Sequence, residues 1–324
     1  MRDKRRLVIL GARNIDEVPG ISNLASEVEL NCAKTLGDLR NALEGAEIML
    51  GWDFRADLLR SAWDNASSLR WVHWAGVGVD PVLFPEFIES EVVLTNSRGV
   101  FDRAIAEYVL GLILNFAKRF PETTSLQSEA KWKHRLTERI DHKHALIVGV
   151  GSIGRAIAHI LTSMNMIVSG VGQRERNGDP DFGKVYASSD LNAVLPHADY
   201  VIVVLPLTVE TYQMFGMEQF EAMKPSARLI NIGRGATVDA SALIAALQEG
   251  KIAGAALDVF EKEPLSPESP LWSMPQVIVS PHMSGDFYGY ENALADCFYK
   301  NYLRYRANES LNNIVDKSLG YVPG

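Results

Sequence analysis

The chain has 324 residues, 47% hydrophobic and 22% charged, which is the balance of a folded protein long enough for two cores and excludes disorder, collagen and coiled coil. Lys and Arg number 32 against 40 Asp and Glu, and the net charge of −8 repels polyanions, so no nucleic-acid partner is expected. Cys32 and Cys297 form neither a disulfide framework nor a metal knuckle, and the longest apolar runs, such as Val201 to Leu207, fall far short of the ~20 residues of a bilayer span, so a reducing cytoplasm, no metal and no membrane are expected.

The first apolar stretch, Leu7 to Leu10, is too short for the ~7–15 residues of a secretory core and reads as a strand. Further runs follow at Ile48–Gly51, Trp71–His73, Val92–Thr95, Ala145–Gly149, Ile167–Val171, Tyr200–Leu205, Arg228–Asn231, Ala255–Val259 and Val277–Ser280. They alternate with helix-like stretches, the rhythm of parallel sheets with crossover helices. About fifty residues between the fourth and fifth runs lack a strand pattern. They begin with an amphipathic helix, Arg103 to Lys118, whose apolar residues Ile105, Val109, Leu112, Ile113 and Phe116 recur at spacings of three and four. Such a helix suits a connection between two domains. Pro121 ends it, and a polar stretch from Glu122 to His144 leads to the next strand. Glu291 to Arg306 reads as a terminal helix.

The run ALIVGVGSIGRAIAHIL, Ala145 to Leu161, is a strand followed by Gly149, Gly151 and Gly154 in the G-x-G-x-x-G spacing and then by a helix. A dinucleotide needs these glycines for a tight turn, for close approach of the pyrophosphate and for helix–strand packing, with the amides of the new helix aimed at the anion. The strand Ile167–Val171 lacks the acidic residue that would hold a ribose 2′-hydroxyl. Gly172, Gln173, Arg174, Glu175 and Arg176 follow instead, and two guanidinium forks suit a 2′-phosphate. NADP is therefore expected ahead of NAD. The alternative is a solvated loop of alternating charge and an NAD-linked protein.

Three later segments end strands of the same sheet. One carries Gly233-Arg234-Gly235, where the flanking glycines leave the arginine room to reach a small anion such as a 2-keto acid. Another carries Asp258 and Glu263, and the third His282. A histidine with an ordinary pKa of about 6.5 suits proton donation to a forming alkoxide, and a carboxylate on its other nitrogen fixes the tautomer. Alone, Arg234 reads as a surface residue and His282 as a loop histidine; together after successive strands they read as a site.

VGVGSIG (148–154), LPLTVET (205–211), NIGRG (231–235), ALDVFEKEPL (256–265) and SPHMSG (280–285) occur in the order of the D-isomer-specific 2-hydroxyacid dehydrogenase family, which the chain closely resembles. WVHWAGVGVD (71–80) and LTNSRGVFDRAIAEYVLGLIL (94–114) are similar to that family's substrate loop and interdomain helix. The resemblance implies two doubly wound parallel-sheet α/β domains. One is a Rossmann-type nucleotide-binding domain over 100–287, and the other is a discontinuous flavodoxin-like substrate domain from 1–99 and 288–324. It implies NAD(P)H-dependent reduction of a small 2-keto acid to a D-2-hydroxy acid, and a homodimer formed through the nucleotide-binding domain. Arg234 would bind the substrate carboxylate and carbonyl, His282 would pass the proton, Glu263 would pair with it, and Asp258 would hold the nicotinamide carboxamide.

Gly149, Gly151, Ser152, Ile153, Gly154, Gln173, Arg174, Arg176, Leu205, Pro206, Thr211, Ile232, Gly233, Asp258, His282 and Gly285 are thus the expected cofactor residues. Trp52, Gly76, Val77 and Gly78 join Arg234 and His282 as expected substrate residues, with the amides of Val77 and Gly78 completing the carboxylate site. The missing acidic residue resembles the glyoxylate/hydroxypyruvate reductase branch, and Glu263 departs from formate-oxidising members, which carry glutamine there. Trp52, Phe54, Trp74, Tyr288 and Tyr290, with His73, either shape the pocket or belong to the core. His142-Lys143-His144 has no counterpart in the pattern. A corepressor-like nucleotide sensor on the same fold is the alternative function.

Overall fold

The tetrad LVIL at Leu7–Leu10 is wholly buried because its strand lies inside a sheet covered on both faces, which is why every residue is apolar rather than every second one. This strand belongs to the first of two compact units, Met1–Phe101 with Phe287–Gly324; the second is Asp102–Asp286. The computed structural model describes residues 4–53 and 57–323.

In the first unit, β1 (Arg5–Leu10), β2 (Val28–Ala33), β3 (Ile48–Gly51), β4 (Trp71–Trp74) and β5 (Val93–Asn96) form a parallel sheet in the order β2-β1-β3-β4-β5. That is the flavodoxin-like order. Val8, Leu10, Met49, Val72 and Trp74 pack on one face with Leu39, Leu43 and Phe87. On the other, Trp71 stacks on Phe298 and Tyr305 of the helix Tyr290–Arg306 at 5.4 and 5.1 Å between ring centres. Strand β2 is not visible as an apolar run. Only Val28 and Ala33, at its two ends, are buried, as suits a sheet edge.

In the second unit, β6 (His144–Val148), β7 (Ile167–Gly172), β8 (Arg176–Asp179), β9 (Gly183–Ala187), β10 (Tyr200–Val203), β11 (Arg228–Asn231), β12 (Gly254–Leu257) and β13 (Val277–Val279) form one sheet. Its order is β13-β12-β11-β10-β6-β7-β9-β8, parallel except for the β8–β9 hairpin. The order reverses between β6 and β10, and the crevice outside the strand ends at such a switch point is where doubly wound sheets bind ligands. Leu146, Val148, Val201, Val203, Leu229 and Leu257 build the core around it.

The helix Asp102–Lys118 is the first element of the second unit and packs on the helix Ser152–Ser163, the partner of its buried stripe of Ile105, Val109, Leu112 and Ile113. Pro121 does end it, but as the first-turn proline of a new helix, Phe120–Ser128, where its missing N–H costs nothing.

His144 starts β6 and ties its lower end together. Nδ1 meets the His197 carbonyl at 3.1 Å and so carries the proton, Nε2 accepts from the Ser169 hydroxyl at 2.7 Å, and the backbone N–H donates to Asp199 at 2.8 Å. Burial, the largest influence, lowers its pKa. His142 serves the preceding turn in a left-handed conformation, φ 64°. Among the described residues, no helix is long and apolar enough to cross a membrane, and no group of three His, Cys, Asp or Glu side chains converges as metal ligands.

Candidate active site

Strand β6 runs straight into the glycine turn, and the turn's geometry explains each glycine. Gly149 has φ 115°, and a Cβ there would lie 2.4 Å from the Val204 carbonyl oxygen. A Cβ at Gly154 would meet the Gly149 oxygen at 2.1 Å. Gly151 differs: a Cβ there meets nothing within 4 Å, so its face is open. It is the N-cap of the helix Ser152–Ser163 and supplies no side-chain cap. The amides of Ser152, Ile153 and Gly154 therefore have no partners among the described residues, an arrangement that fits a pyrophosphate.

At the end of β7, Gln173, Arg174, Glu175 and Arg176 are all exposed. Arg174 forms no ion pair among the described residues, Arg176 leans toward Asp179 at 3.6 Å, and Glu175 faces Lys184 at 3.5 Å. Glu175 therefore has its own cation, which relieves the repulsion a phosphate would otherwise meet.

Beyond β10, Leu205 and Pro206 are half-buried. The Thr211 hydroxyl donates to the Pro206 carbonyl at 2.7 Å and accepts from Thr208 N at 2.8 Å, shaping that loop. Strand β11 ends in Asn231, whose carboxamide accepts from Gly233 N at 3.1 Å and donates to the Arg234 carbonyl at 3.1 Å. Thr237 donates to the same carbonyl at 2.6 Å. Ile232 is buried. The flanking glycines answer to packing rather than to arginine reach: a Cβ at Gly233 would press on the Leu205 backbone at 2.7 Å, and one at Gly235 on the Phe260 backbone at 1.9 Å. Sequence reasoning missed Asn231, whose role depends on a turn that only the fold discloses.

The His282 ring and Glu263 meet at 2.8 Å, Nδ1 to Oε2, and the other Glu263 oxygen accepts from Phe260 N at 2.9 Å. Nδ1–H therefore donates to the carboxylate, and Nε2 has no partner among the described residues. The Glu263 hydrogen bond, outweighing burial, raises the His282 pKa. For Glu263, burial pushes upward, but the bonds from His282 and Phe260 N hold it below the usual carboxylate value, helped by the nearby Arg234 charge. Arg234 is half-buried and works against the charge on His282, while Asp258 works for it.

Asp258 is wholly buried. Its oxygens accept from Ser280 Oγ at 2.7 Å and from the N–H groups of Met283 and Ser284, both at 2.9 Å, while His282 N donates to its carbonyl at 2.8 Å. It thus anchors the loop that carries His282, a residue with the left-handed φ of 51°, and leads on to the half-buried Gly285. We expect Glu263→Gln to remove the main support of the imidazolium. With the native pair the proton persists above the ordinary histidine range and is lost as pH rises through the raised pKa. In the variant the imidazole titrates at lower pH, read by NMR of the ring; a titration that stays in place contradicts the pairing.

In the first unit, the loop after β4 holds Gly76, Val77 and Gly78. The carbonyls of Gly76 and Val77 accept from Ser97 N at 2.9 Å and from Asn96 Nδ2 at 2.6 Å. The N–H groups of Val77 and Gly78 donate to nothing among the described residues. Trp52 is half-buried. Trp74 belongs to the core at 1% exposure, pressed against Gly51, and His73 is fully buried, with Nδ1 2.8 Å from Thr95 Oγ1 and its pKa driven down to about 3 by burial. Tyr290 lies against Phe101 and Phe287, Tyr288 is fully exposed, and Phe54 lies outside the described residues.

Residues 110–284 match the family model described as D-isomer specific 2-hydroxyacid dehydrogenase, NAD binding domain. The chain is 35% identical over 281 residues to glyoxylate/hydroxypyruvate reductase B of Shigella boydii, covering 84% of each protein. Among solved structures it is similar to a D-isomer specific 2-hydroxyacid dehydrogenase family protein from Aeromonas salmonicida, with 31% identity, TM-score 0.85, and 97% of this chain and 100% of that one covered. It is also similar to an NADPH-dependent glyoxylate/hydroxypyruvate reductase from Sinorhizobium meliloti in complex with NADP and sulfate, with 27% identity, TM-score 0.84, and 98% and 100% covered.

Proposed function

The chain belongs to the D-isomer-specific 2-hydroxyacid dehydrogenases, and from that premise we propose that it reduces a small 2-keto acid of the glyoxylate and hydroxypyruvate class to the D-2-hydroxy acid, with NADPH preferred over NADH. The observation that carries the reading is the 2.8 Å pair of His282 Nδ1 and Glu263, which leaves Nε2 to face a substrate oxygen on the same sheet as the open glycine turn.

A bound NADPH supplies the hydride. The protein's share is charge and position. The amides of Ser152, Ile153 and Gly154 take the pyrophosphate, Leu205, Pro206, Thr211 and Ile232 border the nucleotide, and Arg174 with Arg176 takes the 2′-phosphate. Arg234 holds the substrate carboxylate and polarises its carbonyl. His282 gives its Nε2 proton to the forming alkoxide, and Glu263 stabilises the imidazolium until that moment. The similarity to reductases whose names specify glyoxylate and hydroxypyruvate supports the substrate class, and the NADP-bound relative supports the cofactor. The second unit also offers a surface for a homodimer, since Phe120, Trp132 and Leu136 stand exposed on it.

Arg174→Ala tests the cofactor reading. It is expected to raise KM for NADPH by at least about tenfold, the size of one charge-assisted contact, and to leave KM for NADH unchanged. Equal kinetics with both cofactors in the variant and the parent would mean that Arg174 faces only solvent. Chiral chromatography of the hydroxypyruvate product tests the stereochemistry, with the D-isomer expected and the L-isomer overturning it.

A further inference from the structure

The arginines that follow β7 sit on a hairpin too polar to hold itself. The residues of β8, Arg176–Asp179, read RNGD, and the strand pairs only with β9 at the sheet edge, across a register shift between Asn177 and Asp179. A buried carboxylate ties it to the neighbouring helix. The Asp179 side chain is 4% exposed, although it lies at the end of an otherwise exposed strand. It takes a two-pronged bond from Arg155, Nη1 to Oδ1 at 2.9 Å and Nη2 to Oδ2 at 3.0 Å, and accepts from the N–H groups of Asp181 at 3.1 Å and Phe182 at 3.4 Å.

Arg155 stands in the first turn of the helix that begins at the open glycine, its own N–H bonded to the Gly151 carbonyl at 2.9 Å. Its guanidinium also meets Asp181 at 2.6 Å and lies 5.5 Å from the centre of the Phe182 ring. Phe182 in turn is buried against Gly170 of β7, where a Cβ would come within 3.1 Å of the ring. Asp179 therefore joins the hairpin to the turn that fits the pyrophosphate, and its second oxygen stands 3.6 Å from Arg176 Nε.

We propose that Asp179 is the positioning residue for cofactor selection: by clamping the hairpin to Arg155, it sets Arg176 and the neighbouring Arg174 at the distance from the phosphate-binding turn that a 2′-phosphate requires. The proposal rests on the 2′-phosphate reading of those arginines. Asp179 itself touches no phosphate, and as an anion it would repel one. Its contribution is that Arg155 and Arg176 share one buried carboxylate, so the hairpin stays ordered while Arg174, in no ion pair among the described residues, keeps its charge for the phosphate.

The test is the steady-state kinetics of Asp179→Asn with each cofactor. Asparagine keeps an acceptor for the turn amides and loses the two-pronged ion pair. KM for NADPH is expected to rise about tenfold, with KM for NADH and kcat held within about twofold. Arg155→Lys, which keeps the charge but not the fork, is the second variant and is expected to shift the same ratio in the same direction. A rise in both KM values together, or an NADPH KM that stays or falls, overturns the proposal. A parent enzyme that prefers NADH fails at an earlier step, since it removes the 2′-phosphate reading before any variant is compared.

Discussion

Replacing His282 with alanine is expected to lower kcat for keto-acid reduction by about a thousandfold, within the range that one positioned acid contributes, and to leave NADPH affinity largely intact by fluorescence titration. The reasoning is geometric. Glu263 occupies Nδ1 at 2.8 Å, which fixes the tautomer, and Nε2 has no partner among the described residues. The ring sits on a left-handed residue held by its own backbone bond to the Asp258 carbonyl, so its direction is set before substrate arrives. The cofactor contacts expected from the glycine turn lie elsewhere on the sheet and are untouched by the substitution. A variant that retained more than about a tenth of kcat would remove His282 as the proton donor.

Arg234→Ala is expected to cost about a thousandfold in kcat/KM, the loss of two charge-assisted hydrogen bonds at roughly 2 kcal/mol each. Arg234→Lys should recover only part of this, because an ammonium cannot bond a carboxylate and a carbonyl with one planar fork. The two kinetic constants should separate the roles: loss of carboxylate binding raises KM, and loss of carbonyl polarisation lowers kcat. Thermal melting of both variants provides the control, since a collapsed loop would lower Tm along with activity. Unchanged kcat/KM in Arg234→Ala would contradict the assignment.

The buried strands were legible in the sequence because their apolar runs are continuous, as in YVIV at Tyr200–Val203 and LVIL at Leu7–Leu10, which the parallel order requires. The edges were not. VELNCA, RNGD and GKVYA carry little buried apolar surface, since each lies at or beside the margin of its sheet and owes its place to neighbours distant in sequence. The same division runs through the candidate site. Arg234, Glu263 and His282 stood out because reactive residue types followed strand ends. Asn231 and Asp179 act through hydrogen bonds to loops, and no spacing rule connects Asp179 to Arg155, 24 residues earlier. Composition could not separate half-buried from core aromatics either: Trp74 carries the same residue signal as the half-buried Trp52 but is packed against Gly51 at 1% exposure.

The most direct measurement is the initial rate of NADPH oxidation by the purified protein with glyoxylate or hydroxypyruvate. The account predicts oxidation that depends on the keto acid, saturates with it and is faster with NADPH than with NADH. NADPH that binds but is not oxidised in the presence of any small 2-keto acid would contradict it and would favour a nucleotide sensor built on the same fold.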